Sequence, residues 1–257
     1  MILKEFQEEA IRDLLDYTDS EKLIILDSPT GSGKTIILIN YIDRLLDIKD
    51  NTAVIWFTPG AGELEEQSQE KMNRFIPNRK TKTIDQVLTQ GIEAKDTIFV
   101  NWEKVTKSDN NALKDSERDN LKDKVRKAKL QGTEFIIIID EEHKNDTKKA
   151  KSVIDLFDAK LQIRASATPD NLTGVKVVKI TEKEVIAEGL ITKSIYVNEG
   201  AVETDTESNE TKLLLKLAVE KQKEIQKEYS RIGKNINPMV LIQVPNNDDN
   251  VIIEVEE

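Results

Sequence analysis

The chain has no cysteine and a single histidine among its 257 residues. The first absence excludes disulfides, thiol catalysis and thiolate zinc sites, and the second excludes any metal site built from several histidines. The apolar runs, Leu23–Leu26 and Phe135–Ile139 among them, fall far short of the roughly twenty residues that a bilayer span needs. No cationic segment followed by an apolar stretch opens the chain, so no leader is read and a cytoplasmic location with no membrane partner is expected. A positive balance is also missing. With 48 acidic and 38 basic side chains the net charge is −10 and the pI about 5.0, which opposes the phosphate attraction behind most non-specific nucleic-acid binding. Any such contact has to be local or shared with other surfaces. No internal repeat is apparent.

What is present is 38% hydrophobic and 33% charged residues, the balance of a globular protein with a heavily charged surface. Short β-rich runs alternate with helical patterns, which predicts an α/β fold with a largely parallel sheet covered by helices on both faces. Strands are expected at Leu23–Asp27, Ala53–Thr58, Thr97–Asn101, Phe135–Asp140 and Gln162–Ala167, and helices at Glu5–Asp16, Lys34–Leu46, Glu63–Phe75, Asn120–Leu130 and Lys148–Phe157. Phe135–Ile139 is apolar at successive positions, as a strand buried on both faces must be. From Asp205 an acidic stretch leads into an amphipathic helix at about Glu210–Arg231 and a strand at Met239–Val244. The expected organisation is a first domain over 1–200, a linker and helix over 201–237, and the start of a second domain over 238–257.

Ser28-Pro29-Thr30-Gly31-Ser32-Gly33-Lys34-Thr35 follows a predicted strand and opens a predicted helix, the context a phosphate-binding loop requires. Gly31 and Gly33 free the backbone to turn its N–H groups inward, and with Ser32 they would line a phosphate cradle at a helix N-terminus. Lys34 would reach the β- and γ-phosphates of a nucleotide, and the Thr35 hydroxyl would ligate Mg²⁺. Ser28 stands where the general pattern has its first glycine.

About a hundred residues on, Phe135–Ile139 runs into Asp140-Glu141-Glu142-His143. A buried strand would deliver Asp140 at its carboxyl end, where open α/β sheets bind ligands. There Asp140 would hold Mg²⁺, and Glu141 would orient or deprotonate the attacking water, because phosphoryl transfer depends on positioning and electrostatics. An acidic strand end alone is as often a solvated helix cap. Its pairing with the phosphate loop favours catalysis by Lys34, Asp140 and Glu141.

On these residues the chain resembles superfamily 2 helicases of the DExH type, and within them the restriction (Res) subunit of type III restriction-modification enzymes. The resemblance implies a RecA-like P-loop ATPase domain followed by the partial start of a second one. Asp140-Glu141-Glu142-His143 resembles motif II, which makes His143 a coupling residue and not a metal ligand. Ser166-Ala167-Thr168 resembles motif III, where Ser166 and Thr168 would relay nucleotide state. Thr58-Pro59, with Leu64 and Gln67, resembles motif Ia, whose family role is contact with the nucleic-acid backbone. Gln7 resembles the adenine-reading glutamine upstream of the loop. Val185–Lys193 and Asn101–Lys104 are the stretches that resemble the type III Res branch in particular.

The resemblance implies an ATP- and Mg²⁺-dependent motor on nucleic acid, duplex DNA in preference to RNA, with a modification methyltransferase subunit as partner in the full-length context. Gln-x-x-Gly-Arg-x-x-Arg, the motif VI pattern of the second domain, does not occur in the sequence, and no nuclease region is read. The chain is therefore expected to behave as a fragment of a larger motor, slow when alone. An RNA helicase would share every core motif. A non-motor P-loop switch would share only the loop and Asp140. The basic run Lys122–Lys129, diluted by Asp123, Glu117 and Asp119, reads as a solvated helix face.

Overall fold

The structure, a computed structural model, describes residues 2–58, 64–102, 115–140, 148–169, 173–192 and 207–240. It contains two compact units, Met1–Thr192 and Lys193–Glu257.

In the first unit, α1 (Glu5–Tyr17), β1 (Leu23–Asp27), α2 (Lys34–Ile48), β2 (Thr52–Thr58), α3 (Leu64–Phe75), β3 (Lys80–Thr83), α4 (Ile84–Gln90) and β4 (Asp96–Asn101) come first. They are followed by α5 (Asp115–Leu130), β5 (Glu134–Asp140), α6 (Lys148–Phe157), β6 (Leu161–Ser166), β7 (Lys176–Lys179) and α7 (Glu182–Ala187). The seven strands form one sheet in the order β3-β4-β2-β5-β6-β1-β7, and every pairing is parallel. The central strands are those the sequence marks as apolar throughout: β2 is buried at every position and β5 at all but its ends. Parallel strands need crossover helices, and the helices cover both faces.

Residues alternate between the two faces as the pleat requires. Val54, Trp56, Ile136, Ile138, Ile163, Ala165, Ile24 and Leu26 pack with α1 and α2. Ala53, Ile55, Phe57, Phe135, Ile137 and Ile139 form a second core with Val87 of α4, Leu121 and Val125 of α5, and Phe157 of α6. Phe57 stacks on Trp102 at 4.3 Å between ring centroids, so Trp102 belongs to the core. In the first core the Tyr41 hydroxyl meets Thr18 Oγ1 at 2.9 Å, tying α2 to the end of α1. Burial pushes the Tyr41 phenol well above its ordinary range, against the smaller opposing effect of that hydrogen bond.

The two edge strands and the two short helices α4 and α7 were not among the expected elements. Lys80-Thr81-Lys82-Thr83 carries no apolar residue and Lys176-Val177-Val178-Lys179 only two, because an edge strand buries one side at most and tolerates charge that discourages further pairing. Lys82 is the exception to exposure at that edge. Its ammonium donates to Asp96 Oδ2 at 2.6 Å and to the Gly91 carbonyl at 3.1 Å. Asp96 is fully buried, its Oδ2 also accepts from Glu93 N at 2.7 Å, and its Oδ1 has no partner.

In the second unit α8 spans Glu207–Arg231, three residues earlier than expected, and Gln222 Nε2 donates to the Pro238 carbonyl at 2.8 Å. Met239 and Val240 have no regular structure, and the rest of the expected strand Met239–Val244 lies outside the described residues. Among the described residues no helix is long and apolar enough to cross a membrane.

Removing one partner of a buried ion pair strands the other charge, at a cost of about 3–5 kcal/mol. Lys82→Met is therefore expected to lower unfolding stability by about that amount in a urea titration; a change below about 1 kcal/mol would show that Asp96 is not held by Lys82.

Candidate functional site

β1 ends at Asp27, and the register carries the pairing one step further: Ser28 N donates to the Ser166 carbonyl at 3.0 Å. The loop Ser28–Gly33 therefore starts as an extension of the sheet and closes onto the N-terminus of α2. Gly31 and Gly33 both have φ near +86°, a region that costs L-residues with a side chain about 1–2 kcal/mol. The reversal puts Gly33 at the N-cap of α2, with Ile36 N and Ile37 N donating to its carbonyl. The backbone thus has the conformation that turns successive N–H groups towards an anion at a helix N-terminus.

The loop is held from inside and outside. Ser28 Oγ and Ser32 Oγ, both buried, lie 2.5 Å apart. Lys34 Nζ donates to the carbonyls of Ser28 at 3.1 Å and Pro29 at 3.5 Å, which keeps the ammonium within the curve of the loop. Thr35 is half-buried in the first turn of α2. Gln7, 6% exposed, donates from Nε2 to the Ser32 carbonyl at 2.9 Å and accepts from Lys4 N at 3.0 Å. Each end of that amide keeps one further bonding position.

Two neighbours occupy the space a side chain would need on the loop. A Cβ on Gly33 would stand 2.7 Å from Gln7 Nε2, and one on Gly31 would stand 2.6 Å from Ile191 Cγ2. Ile191 is brought there by the end of α7: Gly189, at φ +69°, donates to the Ile186 carbonyl and Leu190 N to the Val185 carbonyl, a Schellman turn. The ion pair Lys4–Glu188 at 3.0 Å joins the same turn to the start of α1. Gly189-Leu190-Ile191, an apolar pair behind a helix-ending glycine, is the signal in the sequence for this contact. In the sequence it lies within Val185–Lys193, the stretch that resembles the type III Res branch.

Asp140 closes β5, two strands from β1, and pairs in register with Ala165, which pairs with Leu26. With strands spaced by about 4.8 Å, the carboxylate and the phosphate loop sit on one sheet edge roughly 10 Å apart. Ser166 is buried between them on β6, its Oγ accepting from Thr168 N at 3.0 Å, while Thr168 is exposed. The described residues hold no cluster of three or more acidic or histidine side chains fit to bind a metal ion. A Mg²⁺ site here would draw on Thr35, Asp140, phosphate oxygens and water, the oxygen set that Mg²⁺ takes beside a nucleotide. Glu141, His143 and Pro59 lie outside the described residues.

Thr58, expected at the nucleic-acid backbone, closes β2. Its side chain is fully buried at the end of β2, and its hydroxyl has no hydrogen-bond partner. Gln67 is exposed on α3.

The family of the type III restriction enzyme res subunit matches residues 1–171. The chain belongs to that family. The match spans both the phosphate loop and Asp140, and it ends before β7 and α7, whose turn packs against the loop of this res-family domain. Among solved structures, a nuclease-deletion mutant of the type ISP restriction-modification enzyme LlaGI, in complex with a DNA substrate mimic, is similar at a TM-score of 0.52 and 14% identity. The likeness covers 75% of this chain and 21% of that one. The ATP-dependent type ISP enzyme LlaBIII bound to DNA is similar at a TM-score of 0.50 and 14% identity, over 74% of this chain and 16% of that one. At such identity these likenesses establish the fold alone, a RecA-like α/β domain, and the chain spans about a fifth or less of their length. No curated protein matches the sequence.

Gly33→Ala combines a strained φ with a contact on Gln7. The variant is expected to lose about 1–2 kcal/mol of stability, read as a lowered thermal midpoint. An unchanged midpoint would mean that the loop relaxes freely and that Gln7 does not brace it.

Proposed function

We propose that the chain is the ATP-binding motor domain of a DNA translocase or helicase of the restriction-enzyme type. The observation that carries this reading is the joint placement of a glycine-turned phosphate loop and a strand-end carboxylate on one edge of a parallel sheet, in a chain of the res-subunit family. Gly31, Ser32, Gly33 and Lys34 hold the phosphates of ATP, Thr35 and Asp140 hold Mg²⁺, and Gln7 uses the remaining capacity of its amide on the adenine. Glu141 acts on the attacking water. Ser166, Thr168 and His143 transmit the state of the nucleotide. Bound Mg²⁺ neutralises charge on the β- and γ-phosphates; the side chains position and polarise around it.

Duplex DNA is favoured as the track, on the strength of the family and of the DNA-bound type ISP enzymes that share the fold. With a net charge of −10, this wall alone offers few phosphate contacts, and affinity for DNA should be weak and fall with salt. In the family context a modification methyltransferase subunit is the partner. Residues 1–200 form the ATPase domain, and the chain from 238 onwards begins a second one.

Lys34→Ala is expected to weaken ATP binding about 10–100-fold, because a charged hydrogen-bond donor to phosphate is lost. Glu141→Gln should bind ATP almost as the parent does. Calorimetric titration separates the two, and equal losses would show their roles to be misassigned.

Phosphoryl transfer in P-loop ATPases gains about 10³–10⁵ in rate from an arginine that stabilises the transition state. The Gln-x-x-Gly-Arg-x-x-Arg pattern is absent from these 257 residues. The polypeptide alone should therefore turn over ATP more slowly than about one per second, with less than about tenfold stimulation by duplex DNA. Faster phosphate release would place the catalytic arginine within residues 1–257 or in a second copy.

A further inference from the structure

The buried side-chain atoms Trp56 Nε1, Thr58 Oγ1, Asp96 Oδ1 and Thr97 Oγ1 lack hydrogen-bond partners among the described residues. Three are remote from the nucleotide edge. Asp96 and Thr97 open β4 at the opposite end of the sheet, and Trp56 lies within the apolar core, stacked on Phe99 at 5.4 Å. Thr58 alone ends its strand at the carboxyl edge.

The register says what stands beside it. Trp56 pairs with Ile138 and Phe57 with Ile139, so the next step along β2 and β5 brings Thr58 level with Asp140. Trp56 and Ile138 face the core shared with α1 and α2, and Phe57 and Ile139 face the other. By the alternation of the pleat, Thr58 and Asp140 both return to the α2 side. That is the face whose helix begins with Lys34 and Thr35. A hydroxyl left without a partner in a dry site is costly unless something pairs with it in a working state.

We propose that Thr58 is a positioning residue for Asp140: its hydroxyl donates to the Asp140 carboxylate, directly or through a metal-bound water, when Mg²⁺ and ATP occupy the site. The inference rests on the reading of Asp140 as the Mg²⁺ ligand and gives Thr58 a role inside the ATP site in place of one on the nucleic-acid surface. Carboxylates that hold a metal are themselves held by hydrogen bonds, and loss of such a partner typically costs about 10–100-fold in metal affinity. Threonine suits the place because its methyl group can pack as valine would while its hydroxyl waits for the carboxylate.

The test is calorimetric titration of ATP into the full chain, with Mg²⁺ and with EDTA, for the parent, Thr58→Val, Thr58→Ser and Asp140→Ala, beside the thermal midpoint of each without nucleotide. Thr58→Val keeps the shape and removes the unpaired hydroxyl, so its midpoint should equal or exceed the parent's. Its Mg²⁺-supported affinity should fall about tenfold while its affinity in EDTA stays that of the parent. Thr58→Ser should keep most of the Mg²⁺ strengthening, and Thr58→Val added to Asp140→Ala should lose nothing more. Unchanged Mg²⁺-supported affinity in Thr58→Val would overturn the role, as would equal losses with and without Mg²⁺, which mark a packing defect. A parent chain whose ATP affinity ignores Mg²⁺ would instead overturn the Asp140 site itself. If Thr58→Val does not fold, Thr58→Ala is held to the same affinity outcomes, with a lowered midpoint expected from the methyl group it also removes.

Discussion

The site depends on one constraint, the parallel pairing of β5 with β6 and of β6 with β1 at a single level of the sheet. Asp140 is opposite Ala165 and Asp27 opposite Ser166, so the strand ends that carry the carboxylate, the serine and the phosphate loop share one edge. That alignment follows from burial. Strands covered on both faces cannot slip by one residue without sending apolar side chains to the wrong core, and the two cores here are filled by alternate residues of the same strands. The hydrogen bond from Ser28 N to the Ser166 carbonyl continues the pairing into the loop.

From that edge the constraint spreads into parts of the chain distant in sequence. Two glycines with positive φ leave the loop without side chains at Gly31 and Gly33, and the space is taken by Ile191 and Gln7. The start of α1 and the end of α7 thus brace one loop from two sides, and Lys4–Glu188 links the braces across the surface. That pair is partly exposed and contributes little energy by itself. Its packing partners carry the geometry. In sequence, α7 stands just before the boundary between the two compact units.

The candidate site at the sheet edge draws on few charged groups, Lys34 and Asp140, although the chain as a whole is acidic. The basic residues of Lys122–Lys129 lie on the outer side of α5, which turns Leu121, Val125 and Ala128 inward. Trp102, which stands in a stretch resembling the type III branch, is likewise part of the core, stacked on Phe57.

The sequence by itself determined the fold class, the central strands, the phosphate loop and the placement of Asp140 at a strand end. Those features are local: an apolar run of the right length, a glycine pattern and the residues that flank it are contiguous along the chain. The edge strands β3 and β7 escaped the sequence because a half-solvated strand needs no apolar run. Tertiary structure alone decided that Lys82 is buried against Asp96, that Ile191 fills the space over Gly31, and that Thr58 faces inward beside Asp140. Each is a relation between separate segments, 14 residues apart for Lys82 and Asp96 and far more distant for the other two. The physical reason is the same in all three: what stands opposite a residue is set by how separate segments pack, through strand order and register for Lys82 and Thr58 and through the turn after α7 for Ile191.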